Sequence, residues 1–474
     1  MRRWLALLSV IAAAVGLAVL PVIRDPRSPD REPLVVDDVS QLNPTRVSAI
    51  IQPTSPDEIA RAVAQHAGPV SIGGGRHSMG GQIATEDALF IDMRRFNKIL
   101  EVDPRARTVR VQAGATWREL QEAIDPFNLS IKVMQSFGNY TIGGSLSVNA
   151  HGTYVGGGPL ITTVRSITVV LADGSIVEAS PNRNPEIFYG TIGGYGGLGV
   201  IVEATFDLTD NVRVKRETGM MPVARYARFF RDGIQGQPLP VLHNANIFPP
   251  DYTSLREVTY NQTTDPVSVE DRLHPIDSSY RLNRLAQWIQ SAWPLGSEIE
   301  RYVMDPVNFS GEPVSWRNYE SSYDDQALEP ASRESSTYLL QEYYVPQERF
   351  DEFIPKMRAV LQTQNVNVLN ISITNSMQDP GSLLAWARTN VFAFIIYYKQ
   401  DTSPTALDME EHWTRGLVDA ALRVDGSYSL RYRLNATADQ FARAYPRASE
   451  FVTLKRRIDP TNKFRNKLLD RYLP

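Results

Sequence analysis

Three glycine-rich clusters constrain this chain more than any other feature: "SIGGGRHSMGGQ" (Ser71–Gln82), "QSFGNYTIGGSLSVNAHGTYVGGG" (Gln135–Gly158) and "GGYGGLGVI" (Gly193–Ile201). Glycine loses more backbone entropy on folding than any other residue. Its repeated use points either to plain turns or to loops where a side chain has no room. One such loop is as readily a turn as a binding loop. Three together favour binding. The first cluster also sets Arg76 and His77 among its glycines, and backbone amides need no imidazole to approach a phosphate.

Two common readings fail on context. Gly194, Gly196 and Gly199 spell G-x-G-x-x-G, which holds a dinucleotide only where it follows a strand and opens a helix. Here "VIVEATFDL" follows, a β-branched alternating run that reads as a strand. No G-x-S-x-G surrounds Ser78, Ser145 or Ser147, so there is no nucleophile elbow. What remains is three separated loops of Gly, Ser, Thr and Asn. They suit a long anionic cofactor cradled by amides and short hydroxyls without a metal.

Composition narrows the field further. The 474 residues are 42% hydrophobic and 22% charged, with a formal net charge of −4 and no dense basic stripe, so nucleic acid is not an expected partner. Cysteine is absent, which excludes disulfides, thiolate metal sites and thiol catalysis. His66, His77, His151, His243, His274 and His412 show no metal-ligand spacing, and no metal site is expected.

The N-terminus stands apart. Trp4 to Ile23 is uncharged, and as a helix it would span about 30 Å, the thickness of a hydrocarbon core. Arg2 and Arg3 before it favour a cytoplasmic start with the rest translocated. The run is either a signal anchor or a cleaved signal peptide, the adjacent arginines also suiting a twin-Arg signal. Either way the expected location is membrane-anchored or exported, with the bacterial periplasmic side favoured. A Pro-rich linker follows.

Beyond the linker, Ser55-Pro56-Asp57-Glu58 is a capping box that opens the helix "DEIARAVAQHAG", and Thr116 with Glu119 caps "WRELQEAI" in the same way. "PVSI", "ALFIDM" and "TVRVQAG" read as strands, and "SITVVLADGSIVEA" as a hairpin about Asp173-Gly174. The first 210 residues are therefore expected to be α+β, with hairpins and short helices rather than strict βαβ alternation. From about Asn211 to Asp425, "STYLLQEYYVP", "VNVLNISIT" and "VFAFIIYYK" read as strands of a second sheet, with the helix "QERFDEFIPKMRAVLQ" between two of them. The last fifty residues return to helices.

The order G-G-G-R-H-S-M-G-G-Q, T-I-G-G-S-L-S-V-N-A-H-G, L-A-D-G-S and G-G-Y-G-G-L-G-V-I resembles the FAD-binding domain of the vanillyl-alcohol oxidase/p-cresol methylhydroxylase superfamily. The resemblance covers roughly residues 40–210. The C-terminal "ATADQFARAYPRASEFVTLKRRIDPTNKFRN" resembles the sugar-oxidising branch, which includes aldonolactone oxidases, alditol oxidase and decaprenylphosphoryl-ribose oxidase. It implies an α+β fold with a two-subdomain PCMH-type FAD-binding domain (40–212), an α/β substrate or cap domain with an antiparallel sheet (213–425), and a C-terminal segment (426–474) returning to the FAD domain. An N-terminal hydrophobic helix (1–24) and linker (25–39) precede them.

The same resemblance implies the site. FAD would be held by Gly73, Gly74, Gly75, Arg76, His77, Ser78, Gly81 and Gln82 of the first loop. Gly138, Thr141, Gly143, Gly144, Ser147, Asn149 and Gly152 would serve from the second, and Gly199, Val200 and Ile201 from the third. In many members the histidine of this loop is bonded through a ring nitrogen to the 8α-methyl of FAD. His77 stands at that place; the other reading is that it only hydrogen-bonds. His151 in "NAHGTY" matches a histidine beside the isoalloxazine, with Thr153 replacing the family lysine. Glu342, Asn390, Tyr432 and Arg433 fall at substrate-side positions, Tyr432 where the decaprenylphosphoryl-ribose oxidases carry a lysine. The implied activity is oxidation of a CH–OH group of a sugar, polyol or lactone by hydride transfer to flavin N5, with reoxidation by O2 or a membrane carrier. Oxidation of a C–N bond, as in cytokinin dehydrogenases, and a non-catalytic flavin carrier are the alternatives.

Overall fold

The computed structural model describes residues 32–276, 280–330 and 332–473. The run Trp4–Ile23 lies outside the described residues. Among those described, no helix is long and apolar enough to cross a membrane.

Three sheets carry the chain. The first is parallel and three-stranded, in the order Ala49–Ile51, Leu89–Asp92, Val70–Gly73. The helix Pro56–Gln65 connects its outer strands. Ser55 caps that helix by accepting from the Glu58 amide, and Glu58 reaches back to the amide of Thr54 rather than that of Ser55. This parallel unit departs from the expected hairpin pattern. Its strands are three or four residues long, too short for periodicity to announce them.

The second sheet is antiparallel. Its order is Ile176–Ala179, Val164–Val170, Val200–Asp210, Thr108–Gln112, Ile99–Asp103, with Leu129–Ile131 also pairing on Val200–Asp210. The expected hairpin is present, Ile176 opposite Val170, with Gly174 at φ +85° in the turn and Asp173 accepting from the Ser175 amide. Val200–Asp210 follows Gly199 directly, so the G-x-G-x-x-G run opens a strand. Trp117–Ile124 carries a complete capping box between Thr116 and Glu119.

The third sheet has eight antiparallel strands: Val314–Trp316, Arg213–Pro222, Ser254–Gln262, Pro240–Ile247, Val368–Ser376, Val391–Asp401, Ser336–Pro346, Ser427–Tyr428. Strand alternation divides its two faces. Ile371 and Ile373 pack with Phe392 and Phe394 in a core shared with the helices Tyr226–Gly233, Phe350–Thr363 and Pro404–Leu422. Asn370, Ser372 and Thr374 point the other way, into a cavity facing the glycine loops.

The C-terminal segment closes the arrangement. Val70 donates to the Lys463 carbonyl (2.7 Å) and accepts from Arg465 (3.0 Å), so the chain end lies along the parallel sheet. Buried Lys455 Nζ donates to the carbonyls of Gly197 (3.0 Å) and Phe464 (2.9 Å) and pairs with Asp459 at 2.8 Å. Asn466 donates to the Tyr195 carbonyl at 2.9 Å. The third glycine loop is thus pinned by the last twenty residues.

Candidate active site

A cavity of about 680 Å3 lies between the glycine loops and the inner face of the eight-stranded sheet. That is the size of a small-molecule or cofactor site. Gly74, Gly75, Arg76, His77, Ser78 and Gln82 line it from the first loop; Thr141, Gly143, Gly144, Ser147, His151 and Gly152 line it from the second; Gly199 and Ile201 line it from the third. The first two loops meet closely. A Cβ on Gly74 would stand 2.2 Å from Thr141 Oγ1, and the Gly75 amide donates to the same oxygen at 3.3 Å.

Several residues expected to bind are held elsewhere. Gly73 ends a strand against the Phe90 ring, and the Gly81 amide donates to Asp38. Gly138 spends its amide on Tyr323 and its carbonyl on Arg118. Asn149 donates to Asp379 and Ser382 and accepts from Ile161, leaving its side chain nothing for a ligand. Val200 is sealed in the sheet opposite Val170. Gln82 and Arg76 do reach the wall with their polar heads engaged. The Gln82 amide donates to the carbonyls of Leu430 and Tyr432, both at 2.7 Å, and Arg76 lies over Phe90 beside Asp92.

His77 is the singular residue of the first loop. Its Nδ1 lies 2.5 Å from Asp325 Oδ2, and its ring rests 4.4 Å from that of Tyr140. Asn139 donates to the other Asp325 oxygen, fixing the carboxylate. Burial opposes the charged imidazole, but Asp325, and behind it Glu329 and Asp324, outweigh burial and raise the His77 pKa above its ordinary value. Asp325 comes from the short turn Asp325–Leu328 and carried no signal in the sequence.

A second polar group sits deeper. His151 Nε2 lies 2.6 Å from Glu342 Oε1, while Arg431 and the Tyr344 hydroxyl (2.9 Å) donate to Oε2. Trp386 and Tyr344 stack at 4.3 Å and pack against the His151 ring. Burial pushes the Glu342 carboxyl up, but Arg431 and His151 overcome it and hold the pKa down to about 2. His151, Arg431 and Tyr432 line the cavity, and Glu342 stands behind them.

Arg433 and Asn390 are not brought there. Arg433 turns to Glu410 (3.5 Å), and Asn390 accepts from the Gln378 amide in a loop outside the cavity. The substrate-side arginine is Arg431, two positions earlier. It lies in a turn rather than a strand, where alternation does not assign faces.

The donor set fits a long anionic group. The loop walls offer glycine amides and Ser and Thr hydroxyls at close quarters, with no lysine among the lining residues. Buried Arg431 Nε finds no protein partner among the described residues, which leaves a donor for an acceptor on a bound group. No cluster of His, Asp or Glu among the described residues is arranged to hold a metal.

Comparison with known proteins agrees with this geometry. Residues 47–180 match the family described as FAD binding domain. L-Gulonolactone oxidase of Bos taurus is 23% identical over 442 residues, covering 89% of this chain and 94% of that protein. Alditol oxidase of Streptomyces sp. is 24% identical over 88% of this chain and 94% of its own. Decaprenylphosphoryl-beta-D-ribose oxidase of Mycolicibacterium smegmatis is 31% identical over 170 residues, 34% of this chain and 37% of that protein. The fold is similar to that of a histidine-to-alanine mutant of cholesterol oxidase from Brevibacterium sterolicum, with a TM-score of 0.71 and 14% identity over 95% of this chain and 100% of that one. Fold and site together define an FAD-dependent oxidoreductase. The FAD-binding match covers residues 47–180, and the relatives similar over most of the chain are oxidases.

Proposed function

We propose that this enzyme oxidises a CH–OH group of a sugar, polyol or lactone. The observation that carries the reading is the sheet face opposite the glycine loops. Asn244, Asn370, Ser372 and Thr374 alternate there with core residues and present amides and hydroxyls to the cavity. Such groups hydrogen-bond a substrate rich in hydroxyls and discriminate against analogues lacking them. The relatives named for gulonolactone and alditol oxidation support it.

Bound FAD supplies the two-electron acceptor for the substrate hydride. The chain supplies position and proton handling. Glu342 takes His151 Nε2 and fixes the ring, as a carboxylate orients a catalytic imidazole. Nδ1, whose contact with the Gly152 carbonyl is a long 3.4 Å, is left to accept the substrate hydroxyl proton. Arg431 places positive charge on the same wall, and Tyr432 is a donor, since burial lifts its hydroxyl pKa far from neutrality.

His77 holds the flavin covalently in this reading, with Asp325 on Nδ1 leaving the Nε2 lone pair as nucleophile. Such a bond would replace one imidazole N–H and one methyl C–H by an N–C bond, a two-electron oxidation for which dioxygen or another two-electron acceptor would be the oxidant. Export or anchoring through Trp4–Ile23 belongs to the same proposal and rests on the sequence.

The test is anaerobic bleaching of the flavin by a panel of polyols, aldonolactones and amines. Bleaching by alcohols and lactones is expected. Bleaching by amines alone would overturn the reading.

A further inference from the structure

The helical segment from Arg281 to Asn308 is built inside out. It comprises Arg281–Ala292, Gly296–Ile299, the π-helical turn Glu300–Met304 and Asp305–Asn308. Helices on water-soluble proteins turn apolar residues inward and charges outward. Here the inward contacts are polar. Arg284 is buried, Asp305 pairs with Arg256 at 2.6 Å, Arg301 pairs with Asp251 at 3.1 Å, and Gln290 donates to the Leu369 carbonyl. Apart from Arg281 and Asn283 at its start, Glu298 and the terminal Asn308, the outward residues are apolar. Leu282 is 80% exposed, Trp293 53%, Leu295 63%, Tyr302 66% and Val307 69%. Between 291 and 310, Glu298 is the one charged residue among those fully exposed.

We propose that this face docks on a lipid bilayer and sets the cavity mouth against it. Three observations select a bilayer over a protein. The patch offers tryptophan and tyrosine beside aliphatics and almost no charge, as the buried face of an interfacial helix does. It is continuous with the cavity, because Asn308 and Phe309, where the segment ends, line the cavity wall. The described chain that follows the uncharged run in sequence also lies beside it. Ser40 accepts from Thr337, and the next residue on that strand, Tyr338, bonds Ser291 of the first helix at 3.1 Å. Residues 24–39 join Trp4–Ile23 to this point with a reach of at most about 55 Å. The docking surface stands independently of which substrate is oxidised.

The experiment uses the full chain, flavin-loaded, in vesicles of phosphatidylethanolamine and phosphatidylglycerol doped with a lipid carrying a photoreactive diazirine in its acyl chain. After illumination, labelled peptides are mapped by mass spectrometry. The proposal expects adducts within 281–308, centred on Trp293 and Tyr302, besides any within 1–31. A Leu295→Asp, Val303→Asp double variant should lose the 281–308 adducts by roughly tenfold or more, since charged side chains are driven out of the apolar layer. It should keep those of 1–31, its flavin absorbance and its turnover of a soluble polyol. Adducts confined to 1–31 would overturn the proposal, as would a self-associated chain whose 281–308 face cross-links to its copy instead of lipid. Flavin content and polyol turnover, measured on the same vesicles, report separately on the catalytic reading.

Discussion

Asp325 Oδ2 lies 2.5 Å from His77 Nδ1, so a carboxylate from the cap side of the molecule fixes the imidazole of a loop on the cofactor side. Both residues line the cavity. The pair links the state of His77 to the packing of the second half of the chain against the first.

Asp325→Asn is expected to slow covalent capture of FAD. A hydrogen bond to a charged group is worth about 1.5–3 kcal/mol, which corresponds to roughly ten- to a hundredfold in rate if it is expressed in the transition state. Reconstituting flavin-free protein and following acid-stable yellow colour over time checks this. Capture at the parental rate would remove Asp325 from the account.

Glu342 gives the fold a pH signature. Its folded carboxyl is held at about 2, below its ordinary 4.5, so its contribution to stability is present above pH 4.5 and is lost as pH falls toward 2. The shift corresponds to about 3 kcal/mol for this buried group. Glu342→Gln removes that slope and leaves Arg431 facing a neutral amide, a loss of about 3–5 kcal/mol at neutral pH. Denaturant unfolding at several pH values measures both.

The cavity wall is expected to follow Arg431, not Arg433. Arg431→Lys keeps a charge opposite Glu342 but loses the planar fork, and kcat/KM should fall by roughly tenfold or more. Asn390→Ala, outside the cavity, should stay within about twofold, as substitutions away from buried features usually do. Equal effects at both positions would contradict the placement.

Gly74→Ala tests the meeting of the two loops. The new methyl would sit 2.2 Å from Thr141 Oγ1, so the loops must part, at a cost of about 1–3 kcal/mol. Flavin occupancy, read as the ratio of visible to protein absorbance, should drop.

The glycine loops were legible because close approach demands glycine whatever the rest of the chain does. Residue-level membership was harder. Asn149, Gly138 and Val200 fall inside the motifs, yet their polar groups serve the protein itself. The second partners of the histidines were not legible. Asp325 sits in a short turn far along the chain, and only the folded cap brings it to His77. Glu342 is marked by the resemblance of "QEYYVP", but strand alternation alone does not place it behind His151 rather than on the wall. The alternation that sends Asn370, Ser372 and Thr374 to one face was present in "VNVLNISIT", though which face met the flavin loops waited on the sheet order.

One measurement tests the central claim most directly. The purified chain is precipitated with acid, and visible absorbance is read in pellet and supernatant beside a His77→Ala variant. The account predicts flavin absorbance in the pellet of the parent and in the supernatant of the variant. A parent chain that is colourless even after incubation with FAD, or whose flavin all leaves with the acid, would contradict it.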